Sequence, residues 1–405
     1  MVSSSSLGAY LLLVSFPTAL PFVKLSKKPD SVLKGGNGLP VKKEVKAGQA
    51  KKAEDEAGHG SKLQPGPVPP IIYAQASPHS VGGTSLFEAQ QQINSRTIGN
   101  FFSERELITR AVNRLQDAGF QILQISPITI NIAASRETYE RAFRTTIVAE
   151  ERPVIKEVGV VADNAPLATA TYLDSPDTAL PGLIATGNTP FADVLEGVAL
   201  EEPRYLMEPS PFPPSKAYWH LRLPADLALA CNAERAHRGG ITGRGVKVAI
   251  VDTGHYRHPF FTAWGYRVAP VILAPGAQNP LSDEVGHGTG KSANILALAP
   301  DAELMPVKWS HVNSVAAFNT AFGLSPHIIN CSWGSHKPGG PLSAADQALA
   351  AAITLAVASG VTVIFPAGNG HAAFPGQHPD VIAAGGVYMD SDESLQASNY
   401  ASGFI

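Results

Sequence analysis

Short apolar strands alternate with helix-like segments through the second half of this 405-residue chain, and that alternation restricts the fold more than any other feature. Val248–Val251 is an unbroken apolar run that ends at an acid, Asp252. Glu303–Trp309 and His327–Ser332 read as further strands, with a helix over Asn313–Phe322 between them. Ser343 and Asp346 cap an Ala/Leu-rich helix that reaches Ser359; Gly360 ends it, and Val361–Phe365 returns as a strand. Strands apolar on both faces and joined through helices predict an α/β fold with a doubly wound parallel sheet. Functional residues in such sheets gather at the carboxyl ends of strands. Asp252, Ser332 and Asn369 each fall just past such an end.

Composition suits a chain with a large core: 44% of residues are apolar and only 16% charged. The length predicts two domains plus linkers. A formal net charge of -3 and a pI near 6.5 give no electrostatic case for nucleic acid or an anionic membrane as the main partner. Cys231 and Cys331 are too few for a disulfide scaffold and lack metal-ligand spacing. Cys331 lies in an apolar strand and reads as a buried hydrophobe. Leu11–Pro21 has the look of a secretory apolar segment, but no Lys or Arg precedes it and Pro17 and Pro21 interrupt it. The compartment therefore stays open. No other stretch is long and apolar enough to span a bilayer.

Four regions follow from the composition. Residues 1–70 are polar and Lys-rich past the first twenty or so and read as a disordered tail or targeting segment. Residues 71–150 read as a small α+β domain. There Ser103 and Glu106 form a capping-box pair ahead of a helix closed by Gly119, and strands at Gln121–Ser126 and Ile128–Ala133 follow. A helix at Arg136–Arg144 and a strand at Thr145–Val148 complete it. Residues 151–215 are rich in Pro and acids and read as a linker. Residues 216–405 carry the parallel-sheet pattern.

The chemistry sits in two strings, Val-Ala-Ile-Val-Asp-Thr-Gly at Val248–Gly254 and Gly-His-Gly-Thr-Gly at Gly286–Gly290. An acid at a strand end can fix the tautomer of an imidazole, which then takes a proton from a nucleophile. Asp-Thr-Gly also occurs in aspartic proteases, but those need two such triplets and this chain has one. In order and wording the two strings resemble the catalytic Asp and His segments of the subtilisin-like serine proteases. Pro366-Ala367-Gly368-Asn369-Gly370, Ser332-Trp333-Gly334 and Phe374-Pro375-Gly376 continue the resemblance, which covers about Gly243 to Ser402. Lys291, after Gly290, departs from the family's run of small residues.

The resemblance implies serine-type peptide hydrolysis, with His287 as general base then acid and Asp252 orienting it. It gives Asn369 an oxyanion-holding side chain, and Ser332, Trp333 and Gly334 the strand that pairs with substrate and lines its first specificity pocket. Residues 71–150 then resemble a prosegment, an intramolecular partner that assists folding and inhibits the enzyme. The implied external partner is a polypeptide substrate; no cofactor is implied, and calcium is allowed by the family without an identifiable site. The family's nucleophilic serine comes after these motifs, and the chain stops at Ile405 before reaching it. Gly83-Thr84-Ser85 spells its triplet out of order and reads as coincidence. The expectation is a C-terminally incomplete subtilisin-like domain, inactive as it stands. The alternative is an inactive peptide-binding or inhibitory protein with a protease-like fold.

Overall fold

The computed structural model describes residues 64–88, 93–154, 169–206, 221–337, 339–368, 372–389 and 395–397. Residues 1–63, Asn369 and residues 398–405 lie outside them. Among the described residues the second half builds a seven-stranded sheet. Lys247–Asp252 is flanked by Glu303–Lys308 on one side and Ile328–Cys331 on the other, both parallel to it. Thr362–Pro366 and then Ile382–Ala384 extend the sheet beyond Ile328–Cys331, and Arg267–Val268 and Ile272–Leu273 lie along Glu303–Lys308. The chain thus winds first to one side of the Asp252 strand and then to the other, as the alternating pattern predicts. Asp252 ends the strand where the winding reverses, the place at which such sheets open a crevice.

Three helices return the chain between these strands. Ala344–Ala358 begins as expected, with the Ser343 hydroxyl accepting from the Asp346 amide at 3.2 Å. Ser314–Gly323 packs beside it. His287–Leu298 rests partly on Ala225–Ala230, where Leu227 meets Ala297. The main core joins Val251, Val307, Ile329, Phe318, Leu349 and Phe365. By burial alone a large aliphatic or aromatic side chain there is worth about 1.5–3 kcal/mol.

Residues 72–200 supply a five-stranded antiparallel sheet in the order Leu183–Ile184, Leu195–Leu200, Ile72–Pro78, Ile130–Ala134, Gln121–Ile125. Its inner face packs Ile72, Ile130, Ile132 and Val198 against Leu115, Tyr139 and Phe143 of the helices Arg105–Asp117 and Arg136–Phe143. Leu86, Phe87, Ile98 and Phe101 join the main core instead. Polar ties cross the same boundary. Asn131 and Asn313 exchange amide hydrogen bonds at 2.9 and 3.0 Å. The buried Glu201 carboxylate accepts from the amides of Ser314 and Val315, the Ser314 hydroxyl and the Gln75 amide.

Three local expectations change. The stretch 151–215 contributes the strands Thr169–Asp174, Leu183–Ile184, Leu195–Leu200 and Tyr205–Leu206 rather than serving only as a linker. Its Pro and acid content hid a buried run, Val194–Leu200, that lies along Ile72–Pro78. Ser103 does not cap the first helix: Glu104 holds that place without a side-chain bond, and the Ser103 hydroxyl donates to Pro78 O at 3.2 Å. The strand expected at Thr145–Val148 forms later, at Val148–Pro153, paired with Thr169–Asp174.

Candidate active site

Asp252 and His287 meet. The His287 Nδ1 lies 2.7 Å from Asp252 Oδ1, with the carboxylate 1% and the imidazole 16% exposed. A carboxylate takes a hydrogen bond only from a protonated nitrogen. This contact therefore puts the proton of neutral His287 on Nδ1 and leaves Nε2 as the basic nitrogen. The backbone amide of Thr253 also donates to Asp252 Oδ1, at 2.8 Å, which fixes the carboxylate from the strand side.

Glycine makes the approach possible. A Cβ on Gly288 would fall 2.2 Å from Gly254 O and 3.0 Å from Asp252 Cβ. Only a residue without a side chain lets the first turn of His287–Leu298 sit against the Asp252 strand. Gly286, at φ 80°, turns the chain into that helix.

Asp283 completes the turn and was not singled out in the sequence. It accepts from the amides of Gly286 and Thr289 and from the hydroxyls of Thr253 and Thr289, at 2.6–2.9 Å. A carboxylate here satisfies orphan amides and faces the positive end of the helix. Burial works against its charge, but the bonds from Thr289, Thr253 and the amides outweigh that and hold its carboxyl below the ordinary range. The signal was legible in retrospect: an acid six residues ahead of a threonine in the first helical turn.

Lys291 and His255 are buried beside the pair. Burial pushes the Lys291 ammonium down to about 7, against the pull of Asp252. Burial likewise pushes His255 down to about 4; its Nδ1 lies 3.2 Å from Ser292 Oγ and its ring rests on Phe261. His311, next to Trp309, is lowered for the same reason.

The three residues read as substrate-binding separate by role. Trp333 is wholly buried; its Nε1 donates to Val251 O at 3.0 Å and its ring packs on Trp309 and Phe365. Its side chain belongs to the core. Only its backbone faces a strand edge, where Trp333 and Gly334 pair antiparallel with Leu206 and Tyr205. The Ser332 hydroxyl is nearly buried and accepts from Asn330 Nδ2 at 3.4 Å. Asn369 lies outside the described residues, beyond the Thr362–Pro366 strand. Among the described residues, no group of three or more His, Cys, Asp or Glu side chains is placed to hold a metal ion, so no donor set of that kind answers the calcium the resemblance allows. Among them, too, no helix is long and apolar enough to cross a membrane.

Residues 243–404 match the family model described as the Subtilase family. Subtilisin Savinase of Lederbergia lenta is 30% identical over 190 residues, covering 42% of this chain and 66% of that protein. An alkaline protease of Alkalihalobacillus alcalophilus is 30% identical over 190 residues, covering 42% and 47%. The chain spans from about half to two thirds of the length of these curated relatives. Among solved structures, the epidermin leader peptide processing serine protease of Staphylococcus aureus aligns with a TM-score of 0.42 at 10% identity, covering 78% of this chain and 69% of that one. That likeness is too low to bear on the assignment. The sheet, the glycine-flanked histidine on its aspartate and the match over residues 243–404 together identify that part of the chain as a subtilase-family domain.

Proposed function

We propose that this chain carries the acid and base of a serine endopeptidase that hydrolyses polypeptides. His287 Nε2 takes the proton of the attacking serine and returns it to the leaving amine. Asp252 holds the ring and stabilises the imidazolium. Asn369 and backbone amides receive the oxyanion. Removing one such donor from a related enzyme costs about 2.7–4 kcal/mol of barrier; the magnitude is the one known for subtilisin itself. No serine among the 405 residues is assigned as the nucleophile in this reading, so the chain alone is expected to form no acyl-enzyme. The observation that carries this reading is the 2.7 Å contact between Asp252 and His287 at the winding reversal of the sheet.

In the same reading residues 71–150 form a prosegment. Its support is that Tyr205–Leu206, later in the same chain, pairs with Trp333–Gly334, the edge on which a substrate backbone would lie. The second reading, an inactive peptide-binding or inhibitory protein, draws on that same pairing. A fluorophosphonate probe separates the two. The 405-residue chain stays unlabelled, whereas a product translated in frame past Ile405 takes the label, and His287→Ala abolishes it. A stop codon directly after Ile405, or an extended product that never labels, favours the binding protein. Labelling of the 405-residue chain itself overturns the assignment of the nucleophile.

A further inference from the structure

The strand Trp333–His336 has one edge against Ala373–Phe374 and the other against Tyr205–Leu206. An added strand gains affinity from main-chain bonds that any sequence can make, and selectivity comes from pockets for its side chains. Arg204, directly before the paired dipeptide, fills such a pocket. Its side chain is 0% exposed, although arginine is seldom fully buried. Its Nη1 lies 2.7 Å from Asp346 Oδ1 and donates to Ser335 Oγ at 2.9 Å, and its guanidinium lies 5.9 Å from the centre of the Phe374 ring.

We propose that this pocket is a recognition site for arginine in extended peptides, with the Asp346 carboxylate as its determinant. The proposal rests on the reading of Ser332–Gly334 as the substrate-pairing strand. The walls are independent of the segment that fills them: Asp346 belongs to the Ala344–Ala358 helix, and Ser335 and Phe374 face each other across paired strands. None of the three belongs to residues 201–206. Asp346 is itself 1% exposed, and its second oxygen lies 3.0 Å from Lys337 Nζ. That contact leaves Oδ1 open to the guanidinium. Burial opposes the charge on Asp346, but Arg204 and Lys337 outweigh it and keep the carboxyl low.

Arg204 Nε and Nη2 have no hydrogen-bond partner among the described residues, so the guanidinium is held through Nη1. Glu202, whose Oε2 is 3.9 Å from Nη1, arrives with the same segment and offsets Lys337. The favoured peptide therefore carries an acid two residues before its arginine. Lysine brings the charge but neither the planar fork nor the surface that lies over Phe374, so it binds less well.

The test uses the full 405-residue chain with Arg204→Ala, which frees the pocket, and two fluorescein-labelled peptides, Glu-Glu-Pro-Arg-Tyr-Leu and Glu-Glu-Pro-Ala-Tyr-Leu. Anisotropy measures binding, and hydrogen exchange at the Leu206 amide reports whether the chain's own strand has left. The expected result is faster exchange and at least ten-fold tighter binding of the arginine peptide, a ratio that falls toward one when Asp346→Asn is added. Exchanging the residue in the peptide leaves the pocket untouched, so the comparison stands even if Asp346→Asn folds poorly. Equal binding of the two peptides overturns the arginine site while the pairing strand remains. Binding of neither, with Leu206 exchanging freely, overturns the pairing strand and the proposal with it. A Leu206 amide as protected as in the parent chain shows that Arg204 does not seat the strand, and the proposal fails.

Discussion

Replacing Lys291 by methionine should change how stability depends on pH, by an amount the structure sets. Lys291 is 8% exposed on the helix that begins at His287, one turn along from that residue, and the carboxylate of Asp252 is the charge that pulls on it. The gap between 10.5 and about 7 converts, at about 1.4 kcal/mol per pH unit, into a cost of about 5 kcal/mol for keeping the ammonium buried below pH 7. Solvent screening takes little from this figure because the group is buried. The sign follows from proton counting. Between pH 7 and 10.5 the unfolded chain holds the Lys291 proton and the folded chain does not, so folding is favoured increasingly as pH rises. The gain is complete above the unfolded value and is lost as pH falls through about 7. Methionine has a similar unbranched shape and no proton to bind. Denaturant titrations of both chains at pH 7, 8, 9 and 10, followed by tryptophan fluorescence, isolate the effect, since other groups cancel in the difference. The parent chain should gain about 3–4 kcal/mol on the variant between pH 7 and pH 10. A difference constant to about 1 kcal/mol over that range would falsify the reasoning.

Gly288→Ala drives a methyl group onto the Gly254 carbonyl, and backbone cannot rotate out of the way. Thermal melting should show a loss of about 1–3 kcal/mol or more, against the small gain alanine brings to an open helix, and the His287–Asp252 proton resonance should vanish. Trp333→Phe strips the donor from Val251 O inside the core; equilibrium unfolding should register a loss of about 1–3 kcal/mol beyond the change in volume. Asp283 has a lowered carboxyl, so its stabilisation is present above the unfolded value and is lost as pH falls. Asp283→Asn should therefore flatten the acid limb of a melting-temperature profile, and an unchanged limb would remove Asp283 from the helix start.

The parallel sheet was legible because its strands are apolar on both faces and its longest helix announces itself with a working Ser343 cap. The Asp252–His287 contact was legible because close backbone approach demands glycine, and glycines flank the histidine. What stayed hidden depends on partners distant in the chain. Glu201, Glu202 and Arg204 are charged residues in a Pro-rich stretch, a pattern that reads as solvated. All three are buried because Gln75, Ser314, Ser343, Asp346 and Ser335 meet them from more than a hundred residues away: Gln75 and Ser314 at Glu201, Ser343 at Glu202, Asp346 and Ser335 at Arg204. The burial of the Trp333 side chain stayed hidden for a related reason. A tryptophan after a buried strand serves equally as floor or wall, and only the carbonyl of Val251, from another strand, decides it.

The Ser314–Gly323 helix borrows its beginning. Asn313 stands ahead of it, but that side chain is engaged with Asn131 and Pro275, and the leading amides turn to Glu201 across 113 residues of chain. Residues made earlier in synthesis thus hold a part that the later helix lacks. Translation from the amino end delivers this carboxylate before the helix emerges, so the order of manufacture matches the order of need. A polypeptide begun at residue 221 would reach the same step with bare amides on that helix and no apolar cover from Leu86, Phe87 and Phe101. It should refold slowly and stall in a compact, loosely packed form.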